Sequence, residues 1–107
     1  MAAGSQSQES REYYIFRVHY DGLLRAIQDP LPLAARLFSE GIITSAVKER
    51  MSVSGVPRLD KNNTLLSAVE VQIETDPMST FHVVLSALKE DPSLWSLVQS
   101  MEGKCLT

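Results

Sequence analysis

Residues 73–101 read IETDPMSTFHVVLSALKEDPSLWSLVQSM, and two Asp-Pro pairs divide this stretch into three segments. After Asp76-Pro77, apolar residues recur at i, i+3, i+4 and i+7, the spacing of a helix that faces a core. After Asp91-Pro92 a second apolar stripe begins and continues to Met101. Because aspartate caps helix N-termini and proline fits the first helical turn, each pair predicts the start of a new helix.

A third pair, Asp29-Pro30, also precedes an apolar stripe at helical spacing. The three aspartates could alternatively be catalytic carboxylates, but that function requires polar partners in a cleft and the sequence suggests none. Helix capping explains their position, residue type and repetition together. We therefore interpret the Asp-Pro pairs as the boundaries of helices.

The remaining apolar stripes predict four helices before residue 76. The first is expected over residues 12–28, with a bend near Gly22, because glycine weakens a helix interior by about 1 kcal/mol. The second is expected to stop at Gly41, a residue suited to the left-handed turn that ends helices. A short third helix is expected in the segment IITSAVKERMSV, and a fourth begins with Asp60 as its N-cap.

The fourth helix has the clearest pattern of apolar and polar positions. Its stripe consists of Leu65, Leu66, Val69 and Ile73. The polar residues expected largely off the stripe are Lys61, Asn62, Glu70 and Glu74. Leu66 and Leu85 are expected to be buried where the fourth and fifth helices meet.

The complete pattern contains six short helices joined by short turns and no convincing strand alternation. Short connections favour antiparallel neighbours around one core. The sequence therefore predicts an all-α fold, an antiparallel six-helix bundle over residues 12–102. A disordered polar tail is expected at residues 1–11 and a frayed tail at residues 103–107.

Composition limits the classes of function. The 107 residues carry a net charge of -3, so there is no basic excess to neutralise phosphates and nucleic-acid binding is disfavoured. No apolar run approaches the roughly 18 residues that predict a membrane helix, and we expect no membrane contact. The lone cysteine, Cys105, cannot form an internal disulfide, which fits a reducing compartment, and we expect a cytoplasmic location.

The sequence offers little material for catalysis. His19 and His82 lack a second metal-type ligand at helical or hairpin spacing, and none of the common catalytic or phosphate-binding motifs occurs. A nucleophilic role for Cys105 stays possible, but no orienting base is placed beside it. We expect no enzyme activity, no cofactor and no metal. Trp95 could anchor an interface, although its spacing to Val98 favours a position in the core or at its rim.

The charges separate along the chain. The basic residues of the first helix and the fourth segment are Arg11, Arg17, Arg25, Arg58 and Lys61. The acidic residues concentrate elsewhere, at Glu40, Glu49, Glu70, Glu74, Asp76, Glu90 and Asp91. One interpretation is an ordinary solvated surface of mixed sign. The other is a pair of complementary patches on different faces, which permits head-to-tail association and filaments.

Three segments give the chain a resemblance to a known family. They are YDGLLRAIQDPLPLAARLFSEGIIT (residues 20–44), RLDKNNTLLSAVEVQI (58–73) and STFHVVLSALKEDPSLWSLV (79–98). Together with the predicted six-helix bundle and its bent first helix, they resemble the death-fold superfamily, a Greek-key bundle, and within it most closely the caspase-recruitment domain, or CARD. The resemblance covers residues 13–101, and the polar tail, the YYIF start and the modestly basic first helix depart from the family.

The resemblance implies a non-catalytic module that binds other CARD-containing proteins homotypically in apoptotic or innate-immune signalling, with possible self-association or filaments. It also implies two interaction faces, one of Arg17, Arg25 and Lys61 and the other of Glu40 and Glu49. Alternatives left open are a death, death-effector or pyrin domain, a CARD-only inhibitor or decoy, and more remotely a small helical nucleic-acid-binding domain.

Overall fold

A computed structural model describes residues 10–106, with side chains described for residues 10–103. Its helices are α1 (Arg11–Ala26), α2 (Pro30–Ser39), α3 (Ser45–Arg50), α4 (Arg58–Thr75), α5 (Pro77–Leu88) and α6 (Trp95–Leu106), with a short 3-10 helix, Pro92–Leu94, before α6. No strand occurs between residues 10 and 106. The prediction of an all-α chain with six helices is confirmed for this range.

The predicted apolar stripes form the core. The largest fully buried side chains are Phe16, Phe81, Ile15, Leu23, Ile27, Leu37, Leu65, Leu66, Ile73, Leu88, Leu94 and Met101. Leu85 is also buried, and α4 packs against α5, as the stripes predict. Most of the core therefore lies where the helical period of the sequence places it. Phe38, which that period also places in the stripe of α2, is an exception at 41% exposed.

Helix α1 packs antiparallel to α4. Near the start of α1, the Tyr13 hydroxyl donates to Glu70 Oε2 at 3.1 Å. Near its end, the Asn62 amide donates to the Leu24 and Ile27 carbonyls at 2.9 Å. Early residues of α1 thus meet late residues of α4, which fixes the relative direction of the two helices.

Helix α6 packs along another side of α1. His19 Nδ1 donates to the Ile15 carbonyl at 2.8 Å, so in the neutral ring Nε2 accepts from the Ser100 hydroxyl, 3.0 Å away. A Cβ atom added at Gly22 would lie 3.1 Å from Leu97 Cδ2. The glycine therefore permits close packing of α1 against α6 and explains its place in a helix interior. Helix α1 passes through Gly22 uninterrupted, and the bend there stays a prediction.

Of the three aspartates in the Asp-Pro pairs, two cap helices with their side chains. Asp29 accepts from the Leu31 amide at 3.1 Å, and Asp91 accepts from the Ser93 amide at 3.0 Å. Asp76 occupies the N-cap position of α5, but its side chain makes no capping hydrogen bond. The prediction that Asp76 caps through its side chain is therefore wrong.

Two predicted helix boundaries are also wrong. Helix α4 starts at Arg58 after Pro57, so Asp60 lies within its first turn instead of capping it. Helix α6 continues through Gly103 to Leu106 instead of ending at the glycine. By contrast, Gly41 adopts a φ of 78° beyond α2, as expected of a residue that ends a helix.

The capping difference predicts unequal effects of two matched substitutions. Asp91→Ala should lower the free energy of unfolding by about 0.5–2 kcal/mol, since it removes a hydrogen-bonded cap. Asp76→Ala should cost less, because only its charge near the α5 N-terminus is lost, a contribution of about 0.3–1 kcal/mol. Urea denaturation of both variants checks this order. A larger loss for Asp76→Ala than for Asp91→Ala would contradict it.

Candidate protein-interaction surfaces

The outward face of α1 combines charge with exposed apolar groups. Tyr14, Val18, Asp21 and Arg25 recur at steps of three and four, which places them on one side of the helix. Tyr14 is 58% exposed and Val18 51% exposed, although both are large apolar side chains. Arg17 lies at the edge of this face and is also exposed. We call Tyr14, Arg17, Val18 and Arg25 the α1 surface.

Both arginines of the α1 surface make contacts within the molecule. Arg25 Nε lies 3.0 Å from Asp21 Oδ2, in a pair whose two side chains are well exposed. Arg17 Nε lies 4.0 Å from Glu70 Oε2, and its guanidinium sits 5.7 Å from the centre of the Tyr13 ring. Exposed pairs of this kind contribute only about 0–1 kcal/mol, so they leave these arginines available to exchange partners.

The contact between α1 and α4 also perturbs a titratable group. Partial burial, the hydrogen bond to Glu70 and the negative charges of Glu70 and Glu74 raise the pKa of the Tyr13 phenol, while Arg17 acts in the opposite direction. The phenol is therefore held in its protonated, donating form, and the hydrogen bond fixes the edge of the α1 surface.

Lys61 lies on α4 in a different setting from Arg17 and Arg25. It lines a groove of 250 Å³ with Arg50, Met51, Val53, Val56 and Thr64, between the end of α3 and the start of α4. Arg58, a basic residue of the same helix, donates instead to the Ile27 carbonyl at 2.6 Å. Arg17 and Arg25 thus lie on α1, while Lys61 and Arg50 line the groove at the start of α4, and a face shared by Arg17, Arg25 and Lys61 stays a prediction.

The predicted acidic residues Glu40 and Glu49 differ in their contacts. Arg36 Nε lies 3.1 Å from Glu40 Oε2, and the same arginine pairs with Glu90. Glu49 is exposed, and its carboxylate has no partner among the described side chains. Glu49 can therefore form an ion pair with another molecule without losing a contact within its own chain, whereas Glu40 would lose its contact with Arg36.

An exposed aromatic ring lies near these carboxylates in the chain. Phe38 is 41% exposed at the end of α2, and Lys48 Nζ lies 5.1 Å from the centre of its ring. We call Phe38, Glu40, Lys48 and Glu49 the α2–α3 surface. Like the α1 surface, it combines an apolar side chain with charges.

Trp95 is not a core residue, which corrects the expectation from its spacing. Its ring is 54% exposed, and its indole N–H donates to the Lys89 carbonyl at 2.7 Å. Leu94, Val98 and Met101 already form a buried stripe at i, i+4 and i+7, and Trp95 falls about 100° away from its first member. That angle was the signal in the sequence that could have predicted its exposure.

A larger groove lies beside the connection between α1 and α2. Its volume is 420 Å³, and it runs between the α1–α2 connection and the segment that joins α5 to α6. Ile27, Leu33 and Leu94 contribute apolar walls. Of its three carboxylates, Asp29 and Asp91 cap helices, and Glu90 pairs with Arg36. All three are therefore already used in contacts within the fold.

Neither a metal site nor a membrane span occurs among the described residues. No group of three or more His, Cys, Asp or Glu side chains there could hold a metal ion. No helix in that part of the chain is long and apolar enough to cross a membrane. The side chain of Cys105 lies outside the described side chains, and the predicted tail at residues 1–11 falls mostly before residue 10.

Comparisons with protein-family models, with curated proteins and with solved structures found no match. The helical bundle and the surfaces described above are therefore the basis for assigning a function.

Proposed function

We propose that this chain is a non-catalytic interaction module of the CARD type, which binds like domains in a cytoplasmic signalling assembly. The observation that carries the proposal is the α1 surface, where Tyr14 and Val18 are exposed on the same helix as Arg17 and Arg25. Exposing large apolar groups on a helix costs solubility, and aromatic residues with arginine are enriched in protein interfaces. The six-helix bundle and the sequence resemblance support the same assignment.

The α2–α3 surface is the proposed partner of the α1 surface on another domain. It offers Phe38 as an apolar group and Glu49 as an unpaired carboxylate opposite the arginines. Exposed ion pairs contribute about 0–1 kcal/mol each, so charge steers the encounter and sets the register. The apolar groups at the centre of the contact, Tyr14, Val18 and Phe38, supply most of the affinity.

Charge reversal tests this pairing. Arg25→Glu and Glu49→Arg should each weaken self-association or binding to a related domain by roughly tenfold, without unfolding the bundle, because both side chains are exposed. A chain carrying both changes should regain part of the binding if the two residues face each other. Sedimentation velocity of the wild type, both single variants and the double variant measures this, and circular dichroism verifies folding.

A matched control separates a specific contact from a general charge effect. Gln99→Lys adds a positive charge at an exposed position on α6 and should leave association unchanged. The proposal fails if the wild type neither associates with itself nor binds any member of a panel of purified CARDs. Binding to a death, death-effector or pyrin domain in the same panel would assign the chain to that subfamily instead.

A further inference from the structure

The cations of the groove between α3 and α4 differ from the other cations of the chain. Within residues 10–103, every other lysine or arginine side chain contacts a carboxylate, a carbonyl, an aromatic ring or another group. Arg50 and Lys61 are the two that have no such partner in that range, and both line this groove. We call it the α3–α4 groove. Its positive charge is therefore not compensated within the described molecule.

The floor of the α3–α4 groove is apolar. Met51 is buried there, while Val53 and Val56 are exposed on the loop that joins α3 to α4. Gly55 adopts a φ of 83° in this loop, a left-handed conformation that turns the chain between the two valines. A basic rim around an apolar floor suits an occupant that carries an apolar side chain next to carboxylates.

The far end of α4 presents that combination. Glu74 and Asp76 are exposed, and neither carboxylate has an ion-pair or hydrogen-bond partner within the described residues. Met78, two residues further on, is 67% exposed and is the most exposed large apolar side chain described. We call Glu74, Asp76 and Met78 the α4–α5 corner. The failure of Asp76 to cap α5 with its side chain leaves its carboxylate available at this corner.

The groove and the corner lie at opposite ends of one helix. Lys61 and Asp76 are separated by 15 positions along α4 and its C-cap, or about 22 Å at 1.5 Å per residue. The corner therefore cannot fill the groove of its own chain. A contact between two copies that uses surfaces at opposite ends of a rigid helix is heterologous, and each added copy presents a new free corner and a new free groove.

We propose that the α4–α5 corner of one copy docks in the α3–α4 groove of a second copy, with Met78 on the apolar floor and Glu74 and Asp76 opposite Arg50 and Lys61. The contact assembles the chain head to tail along the direction of α4. It uses residues outside the α1 surface, so it does not rest on the proposed function. Because the groove is small, the contact is weak and salt-sensitive, and it forms at high protein concentration.

A mixing experiment tests the head-to-tail geometry. Arg50→Glu destroys the groove but keeps the corner, and Asp76→Lys destroys the corner but keeps the groove. Each variant alone should associate at least about tenfold more weakly than the wild type, because like charges now meet. An equimolar mixture should associate more strongly than either variant alone, since the intact corner of one variant docks in the intact groove of the other, and the reversed groove and reversed corner are again opposite in charge. Sedimentation velocity at low and high salt distinguishes these species.

A second variant of each surface distinguishes loss of the contact from loss of folding. Lys61→Glu repeats the groove change from α4. Glu74→Lys repeats the corner change at a helix C-terminus, where a cation interacts favourably with the helix dipole. Gln99→Lys on α6 serves as the control and should associate like the wild type.

Several results would overturn this contact. The proposal fails if the wild type stays monomeric at every concentration, or if the charge-reversed variants associate as strongly as the wild type. It also fails if the mixture of the two variants contains no complex. Arg25→Glu separates the two proposals. If it alone abolishes association, the α1 surface is the contact and the groove is not, whereas the opposite pattern supports the groove and contradicts the α1 surface.

Discussion

Phe81→Ala should lower the free energy of unfolding by about 3–5 kcal/mol. The Phe81 ring is 0% exposed, and α5 packs against α1, α2, α4 and α6, so no single neighbouring helix can move to fill the space. The substitution removes the transfer free energy of the ring and leaves a cavity in the centre of the bundle. Domains of this size are stable by roughly 5–15 kcal/mol, so the loss is a large part of the total.

A matched variant on the same helix isolates the effect of burial. Met78→Ala removes a comparably large apolar side chain from an exposed position and should change the stability by less than about 0.5 kcal/mol. Urea denaturation followed by circular dichroism measures both variants. A loss below about 1 kcal/mol for Phe81→Ala would mean that the stripe of α5 does not face the core.

The apolar period predicted the core well because it depends on local geometry alone. Phe81, Val84, Leu85 and Leu88 were expected on one face of a helix, and all four are buried. Because an α-helix has 3.6 residues per turn, these four side chains lie on one side of α5 regardless of how the other helices pack. The same reasoning correctly predicted the buried side of α4.

Features that depend on contacts between helices were not predictable in the same way. Asn62 was expected largely off the apolar stripe of α4 because it is polar, yet it is 0% exposed. Its amide meets carbonyls at the end of α1 that lack partners within their own helix. No periodic pattern in α4 shows that another helix ends beside it.

The same limit applies to the interaction surfaces. The resemblance implied an interaction face that includes Arg17 and Arg25, which are two exposed residues of α1. The pairing of Glu40 with Arg36, and the place of Lys61 beside Arg50, depend on which helices lie together. A sequence can therefore indicate candidate charges, but it does not show which of them are already compensated within the fold.

Asn62→Asp should lower the free energy of unfolding by about 3–5 kcal/mol at neutral pH. The Asn62 amide donates at 2.9 Å to both the Leu24 and the Ile27 carbonyls. A carboxylate at this position would place negative oxygens against two carbonyl oxygens, without water to solvate the charge. Asn62→Ala should cost less, about 1–3 kcal/mol, because it removes the donor to the Leu24 carbonyl, leaves the Ile27 carbonyl with Arg58 as its donor, and adds no charge.

The pH dependence of stability identifies the cause of the Asn62→Asp effect. Burial raises the pKa of the introduced carboxyl group above its value in the unfolded chain, about 3.9. The variant should therefore recover stability as the pH falls through its folded-state pKa, and the recovery should be complete below the unfolded value, where both states are protonated. A protonated carboxyl group can again donate to one carbonyl, so the remaining loss should resemble that of Asn62→Ala.

The neighbouring residue provides the matched control. Asn63 is exposed and accepts from the Tyr20 hydroxyl at 2.6 Å, a contact that a carboxylate can keep. Asn63→Asp should therefore change the stability by less than about 0.5 kcal/mol and show no comparable recovery at low pH. Urea denaturation of both variants across the acid range decides between the explanations. An Asn62→Asp loss that is small at neutral pH, or that does not vary with pH, would show that the amide does not hold the end of α1 against α4.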